Sequence, residues 1–511
     1  MKRRVIFFLS AVLLSLLTIP VINIINAPSK ESVKWRDKSF LYNMDFFSRW
    51  MAKILYPLGI STDPQQVVIG YDGWLYLGDK HESTLTVDRQ LASEAEFRLG
   101  KEIRNSIDAW DAYLAAKGVQ NFKVMIGPNK GSIYSENLPN WAKPSSSNAT
   151  DALVRGSQKY IDLRTPLLEE KSQQKTALYY KTDTHWNSMG AGIAFQYFAQ
   201  QVSLNSPDLK WPSPVAYQLL RVDHAAGGDL ANFLRLKSSL SDQEPIINFS
   251  SLPVDTIQTD FDTKQVIHQG GNPAVISPPK PVLVQSVGAL NNKKVLWLRD
   301  SFGTALSPLM AATFSDVLQL HWGEAIKPGG RLLQLLENWK PDYVFFTVVE
   351  RSARSPWFAA YPPPLVSPKN DEFKITHSTH VVGTNHLSST SKQSEFQITG
   401  NDSFFDIEIS NGISPAEAMQ INIELICEDK TDSVPIQLFW LENGKSHYDE
   451  EHSFKLLFKT GNNTINLRTV QKFMPTESIK RIRLDIDAVN YCNTFKLTPP
   501  VFGSSSIELK N

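Results

Sequence analysis

The stretch YYKTDTHWNSMGAGIAFQYF, 179–198, sets Asp183 and His185 one residue apart, followed at once by Trp186 and Asn187. On an extended segment the side chains at i and i+2 point the same way, so this spacing puts a carboxylate beside an imidazole. Such a pair orients a base for catalysis, ligates a metal, or satisfies itself as a buried polar pair. A base needs a nucleophile, and Ser301 in LWLRDSFG (296–303) is the candidate. There the apolar run KVLWL (294–298) gives way to a helix start, and a serine at such a turn exposes its hydroxyl beside main-chain N–H groups able to receive a developing oxyanion. In the triad so assembled, His185 takes the hydroxyl proton and returns it to the leaving group, while Asp183 fixes the imidazole tautomer and stabilises its cation. The distance in sequence is no obstacle, because triads are defined by geometry and not by chain order. No Gly-x-Ser-x-Gly elbow surrounds Ser301. The competing structural readings are a buried Asp–His pair and a simple helix cap at Asp300-Ser301. A metal reading needs further ligands, and His81, His224, His268 and His321 form no ligand spacing. The chemistry requires no cofactor.

These residues need elements to hold them. The spacing of Phe97, Ile103, Ile107, Trp110 and Leu114 predicts a helix that Gly118 stops, followed by an apolar strand at 122–126. A helix over 188–202 is expected with Asn187 as its N-cap. Strands at 294–298, 316–320 and 343–349 alternate with a helix at 330–339, and Asp72-Gly73 marks a turn feeding a short strand at 74–77. Strands apolar throughout and separated by helices indicate a parallel sheet covered on both faces, an α/β domain whose sites lie at the carboxyl ends of its strands. Residues 204–290 read as an irregular polar insertion or lid. The proline-rich segment 354–371 reads as a linker, and beyond it short alternating strands without a helix indicate a separate all-β sandwich.

The chain has 511 residues, enough for two or three domains, and its 52 basic side chains balance 52 acidic ones, so no global charge draws it to nucleic acid. Its twelve tryptophans suit a large core or sugar-stacking surfaces. Lys2, Arg3 and Arg4 precede an apolar run at 5–25, long enough to span a bilayer with its N-terminus in the cytoplasm and the rest of the chain exported. A cleaved signal peptide is the competing reading, against which Pro28 makes Asn-Ala-Pro a poor cleavage site. Outside the cytoplasm Cys427 and Cys492 are able to form a disulfide, with two buried thiols as the alternative.

Six blocks in order resemble the alginate O-acetyltransferase AlgX/AlgJ family, whose catalytic domain is similar to SGNH hydrolases. They are GYDGWLYL (70–77), GPNKGSIYSENLP (127–139), KTDTHWNSMGA (181–191), GGDLANFL (227–234), LRDSFG (298–303) and PDYVFFTVVER (341–351). The resemblance covers about residues 65–355 and includes an Asp-x-His that precedes the serine block. It implies an SGNH hydrolase-like domain over 27–360, a linker at 361–374 and a carbohydrate-binding-module-like β-sandwich over 375–511. It also implies acetylation of exopolysaccharide hydroxyls in the periplasm through an acetyl-serine, with Ser301 as nucleophile, His185 as base and Asp183 as orienting acid. The implied partners are the polysaccharide acceptor and its biosynthesis complex, the inner membrane held by residues 5–25, and a membrane-bound O-acyltransferase that supplies the acetyl group. Arg299 departs from the pattern by standing where typical SGNH enzymes have glycine, with room to reshape the pocket.

Other candidates carry less. Asp300 is placed to bond within its turn, Glu350 and Arg351 to border the site or pair with each other, and Asn129 and Lys130 to touch an anionic sugar or sit in a solvated turn. Trp186 is expected to pack beneath His185. Trp440, Tyr448 and Tyr491 are core residues of the sandwich or sugar-stacking rings. Two functions compete with acetyl transfer: an esterase passing the acyl group to water with the same triad, and a non-catalytic polysaccharide-binding component of an export complex.

Overall fold

The computed structural model describes residues 2–27, 29, 36–369, 371–427, 432–486 and 492–505. Its longest apolar segment forms helix α1 (Lys2–Ile25), followed by the shorter α2 (Asp45–Leu55). Helix α3 (Glu94–Ala116) begins at a capping box. Ser93 Oγ accepts from the Glu96 amide at 3.3 Å and the Glu96 carboxylate accepts from the Ser93 amide at 2.6 Å. It ends where Gly118 adopts φ +90°.

The strands of the central sheet are β1 (Asn121–Gly127), β2 (Tyr160–Asp162), β3 (Asp255–Asp260), β4 (Val266–Gln269), β5 (Val282–Val287), β6 (Asn291–Arg299), β7 (Phe314–His321) and β8 (Tyr343–Val349). Their spatial order is β2-β1-β8-β6-β7-β5-β3-β4. The first five are mutually parallel, as continuous apolar runs require. Strands β1 and β8 are buried at every position. Side-chain alternation along β8 serves two cores at once. Phe345 meets Phe198 of α4 (Ser188–Ser203) at 5.0 Å, whereas Phe346 packs with Phe122 on the face covered by α3. Each such ring contributes about 2–3 kcal/mol on burial. Helices α5 (Ser307–Thr313) and α6 (Leu332–Trp339) complete the crossovers from β6 to β7 and from β7 to β8.

Two expectations change. Residues 204–290 are not irregular: β3, β4 and β5 extend the sheet antiparallel from β7. Their polar character reflects a sheet edge with one solvated face, and β4 is exposed along its whole length. A hairpin of Leu219–Ala226 with Ser241–Ile247 rises from the same region. The segment 361–374 is also more than a linker. Leu365–Pro368 pairs with Gly461–Asn466, and Phe373–His377 with Thr494–Ser505, so the β domain begins inside it.

That domain stacks a seven-stranded sheet on a five-stranded one. Alternating positions of Phe404–Ile413, Gln420–Cys427 and Ser433–Glu442 fill the space between them. Cys427 and Cys492 form a disulfide. Trp440 is core, only 2% exposed, with its indole N–H donating to Glu442. Tyr448 is half-buried and donates to Asp406 Oδ1 at 2.7 Å. Tyr491 lies outside the described residues.

Candidate active site

Ser301 follows the carboxyl end of β6, separated from it by Asp300 alone. Asp300 Oδ1 accepts from the Phe302 amide at 2.9 Å, and its Oδ2 accepts from the Val349 amide at 2.7 Å, so one carboxylate caps the turn and clamps β6 to the end of β8. The amides of Phe302, Gly303 and Thr304 are all engaged inside this turn. The main-chain donor left for an oxyanion is therefore Ser301's own N–H rather than a row of helix amides.

Asp183 and His185 sit on a loop of successive bends, not on an extended strand. Their spacing works through an Asx turn: Asp183 Oδ1 accepts from the His185 amide at 3.0 Å and faces His185 Nδ1 at 2.6 Å. His185 Nε2 stands 2.8 Å from Ser301 Oγ. Asp183 Oδ2 accepts from the Asp229 amide at 2.8 Å, and Asp229 Oδ1 accepts from the Thr184 amide at 2.7 Å. The loop is closed behind by a cross-bridge between Tyr179 and Trp186 and by Asn187, whose side chain caps α4 at the Met189 and Gly190 amides. Trp186 is buried, donates to the Phe302 carbonyl at 3.0 Å and packs on the Phe302 ring, which in turn meets His185 at 5.1 Å.

Burial opposes charge on His185, but the hydrogen bond and the negative charge of Asp183 outweigh it and raise the imidazole above its ordinary pKa. Burial likewise pushes Asp183 upward, and the His185 contact with the two main-chain N–H donors overcomes it, holding the carboxyl well below the usual range. Asp229 moves the other way, raised first by burial and then by the charge of Asp183. Asp183, His185 and Asp229 bring ligand atoms within 4.8 Å of one another, the makings of a cation site. Both imidazole nitrogens, however, already face Asp183 and Ser301, which favours the base arrangement over the metal one.

A cavity of about 510 Å³ opens beside Ser301, lined among others by Tyr180, Asp242, Glu244, Ala274 and Thr304. A larger apolar cleft of about 820 Å³ lies on the α3 face of the sheet, remote from these residues. Tyr180 donates to Glu244 at 2.7 Å. Asp242 accepts from the Lys181 and Thr182 amides and from the Thr182 hydroxyl, fixing the start of the loop.

Several expected roles differ. Lys130 and Asn129 are only 4% and 5% exposed, so neither reaches a sugar chain. Lys130 Nζ donates to the carbonyls of Tyr180, Lys181 and Asp183 at 3.0, 3.0 and 2.7 Å, so it is the peg on which the Asp183–His185 loop hangs. Burial pushes its amine down to about 7. Asn129 donates to Asp88 Oδ2 at 3.0 Å and accepts from Arg351 at 3.4 Å. Glu350 does not pair with Arg351; it accepts from the Asn129 amide and the Ser132 hydroxyl and lies 3.9 Å from Arg164. Asp88 beside it is raised to about 8 by burial and by the charge of Glu350. Arg299 does not enter the cavity. It is fully buried, donating to Gln319 at 2.9 Å and to the Val275 carbonyl at 2.6 Å, which fixes the strand of chain carrying Ala274. His81 stacks on Phe233, His268 faces the Gly270 carbonyl, His321 caps the Gly323 amide, and His224 is exposed on the hairpin.

Two contributors were not assigned from sequence, Asp229 and Gly228. Their only signal is the block GGDLANFL. Gly228 passes so close to the triad that a Cβ there would stand 2.3 Å from Asp183 Cβ. Gly228→Ala is therefore expected to displace the carboxylate and lower turnover about 100-fold with the fold retained. Steady-state hydrolysis of an acetyl ester alongside thermal denaturation checks this, and wild-type turnover would contradict it.

Residues 67–267 match the family model of the SGNH hydrolase-like domain of acetyltransferase AlgX. Over these residues the α/β domain is similar to the AlgX/AlgJ family. Among curated relatives, the probable alginate O-acetylase AlgJ of Pseudomonas putida is 29% identical over 187 residues, covering 35% of this chain and 44% of the relative. The AlgJ of Pseudomonas fluorescens is 31% identical over 147 residues, covering 28% of this chain and 34% of the relative. The matched region thus spans less than half the length of either relative. Among solved structures, the O-acetyltransferase domain of Pseudomonas putida AlgJ aligns with 57% of this chain and 92% of its own at 22% identity and a TM-score of 0.37. The AlgX model match contains Asp183, His185 and Asp229 and ends before Ser301, whose place in the site rests on its 2.8 Å contact with His185.

Proposed function

We propose that the protein is an O-acetyltransferase that acetylates hydroxyls of an exopolysaccharide, alginate or similar, through an acetyl-Ser301 intermediate. The observation that carries this reading is the relay from Ser301 Oγ to His185 Nε2 at 2.8 Å and from His185 Nδ1 to Asp183 at 2.6 Å. The match to the AlgX family model and the names of the AlgJ relatives support the polysaccharide as acceptor.

In the first half-reaction Ser301 Oγ attacks the acetyl carbonyl carbon as His185 takes its proton, and the Ser301 amide donates to the oxyanion. Collapse breaks the bond to the donor's leaving oxygen, which receives the proton from His185. In the second half a sugar hydroxyl gives its proton to His185 and attacks the acetyl-serine, and collapse returns the proton to Ser301. Asp183 stabilises the imidazolium in both halves. The reading places the enzyme in the periplasm, held at the inner membrane by residues 5–25 unless that segment is cleaved, with a membrane-bound O-acyltransferase of the polysaccharide complex delivering the acetyl group. A helix long and apolar enough to cross a membrane supports the anchor. The β-sandwich is proposed to bind the polymer.

The test is to incubate the full chain with a chromogenic acetyl ester, with and without oligouronate and neutral oligosaccharide acceptors. Acetylated oligosaccharide in the product mass spectrum is expected. Acetate as the sole product with both acceptors present would make the protein an esterase.

A further inference from the structure

Helix α2 turns Ser48, Met51, Ala52 and Leu55 toward the protein, where Ala52 packs with Leu230, Ala231, Leu234 and Leu236. The opposite face presents Phe46, Phe47, Trp50 and Ile54, which are 42%, 45%, 51% and 46% exposed. At 100° per residue these four fall within one side of the helix, with Arg49 and Lys53 exposed along its edge. Tyr42, Met44, Leu58 and Ile60 extend the same exposed apolar character to both ends. A water-facing helix has no reason to carry such a row, and contiguous apolar patches of this kind mark contact surfaces.

The position of the row identifies what covers it. Asn23, near the end of α1, donates to the carbonyls of Phe40, Leu41 and Asn43 at 3.2, 2.8 and 2.9 Å. The aromatic face therefore begins where the apolar helix ends. Aromatic rings with cationic side chains at their margin, beside the end of a spanning segment, are the composition of the membrane–water interface, where rings sit at headgroup level and Lys and Arg extend toward phosphate.

We propose that α2 lies in the plane of a lipid bilayer surface with Phe46, Phe47, Trp50 and Ile54 inserted. The helix then does more than hold the chain near the membrane. Asp45 pairs with Arg235 at 2.6 Å, and the 228–240 segment gripped by α2 is the one that supplies Gly228 and the Asp229 amide to Asp183. The lipid surface and the Ser301 cavity are joined through a few packed residues, which fixes the height and tilt of the active site above the bilayer.

The inference rests on the membrane reading of α1, and the test separates the two. The full chain in lipid nanodiscs is spin-labelled at Phe47→Cys and, in a second variant, at Trp50→Cys, with Leu13→Cys in α1 and Lys175→Cys on the exposed surface as references. The native cysteines are closed in their disulfide. Both α2 labels are expected to be relaxed more by oxygen than by a water-soluble nickel chelate, as the Leu13 label is and the Lys175 label is not. Chelate-dominated relaxation at Phe47 and Trp50 overturns the proposal while leaving the anchor intact. Protection from both relaxants also overturns it, since a protein surface, either a second copy or another partner, would then cover the helix. Oxygen-dominated labels on α2 with a water-exposed Leu13 would retain the interfacial helix and remove the anchor.

Discussion

Ser301→Ala is expected to abolish acetyl transfer, with turnover falling by roughly 10⁴- to 10⁶-fold, because the triad acts as a unit and the remaining groups bind without a nucleophile. The change removes one hydroxyl at a position where the turn is held by Asp300 and the main chain, so the fold should persist. The decisive readout is the protein itself: after exposure to an acetyl donor the wild-type chain is expected to gain one acetyl mass on the peptide containing Ser301, and the variant none. Unchanged polymer acetylation by the variant would favour the non-catalytic polysaccharide-binding reading. Acetylation at another residue would move the nucleophile. Neither the donor nor the acceptor need be identified for this result, so it bears on the chemistry independently of the substrate.

What was legible in the sequence depended on how local its cause is. Strands β1 and β8 were plain because burial on both faces demands apolar residues at every position. Asn187 could be read as an N-cap because its hydrogen bonds reach only two and three residues ahead. Strands β3 to β5 were missed for the converse reason: at a solvated edge their pattern is polar, and they are strands because β5 pairs with β7, β3 with β5 and β4 with β3. The role of Lys130 was illegible in principle. A lysine in a Gly-Pro-Asn-Lys loop reads as a surface cation, and only the tertiary fold brings three carbonyls from 180–183 onto its ammonium. Within the site, Asp183, His185 and Ser301 were singled out by residue type, and the structure brings their side chains within hydrogen-bond distance. Their arrangement as an Asx turn and the engagement of the helix amides by Asp300 depended on the backbone path. The two faces of helix α2 acquire meaning only when one of them is seen to be covered.

Asp183→Asn tests the electrostatic half of the relay, and its pH profile separates a catalytic Asp183 from a merely structural one. In the wild-type protein Asp183 raises the His185 pKa above 6.5, so the free base proposed to accept the Ser301 proton accumulates only as pH climbs through that elevated value. The acidic limb of kcat/KM should accordingly lie above 6.5. An asparagine keeps the shape and can still accept from the Asp229 amide, but it turns an N–H toward His185 Nδ1. The ring then carries its proton on Nε2, facing Ser301, which is the wrong tautomer for a base, and turnover should fall about 10⁴-fold. With the carboxylate gone, burial is left as the main influence on the imidazole and lowers its pKa, so the residual activity should show an acidic limb displaced to lower pH. A structural role alone predicts loss of folded protein with the limb unmoved in what remains. Retention of full activity with an unshifted limb would mean that the 2.6 Å contact is a buried polar pair and that His185 is oriented by other groups.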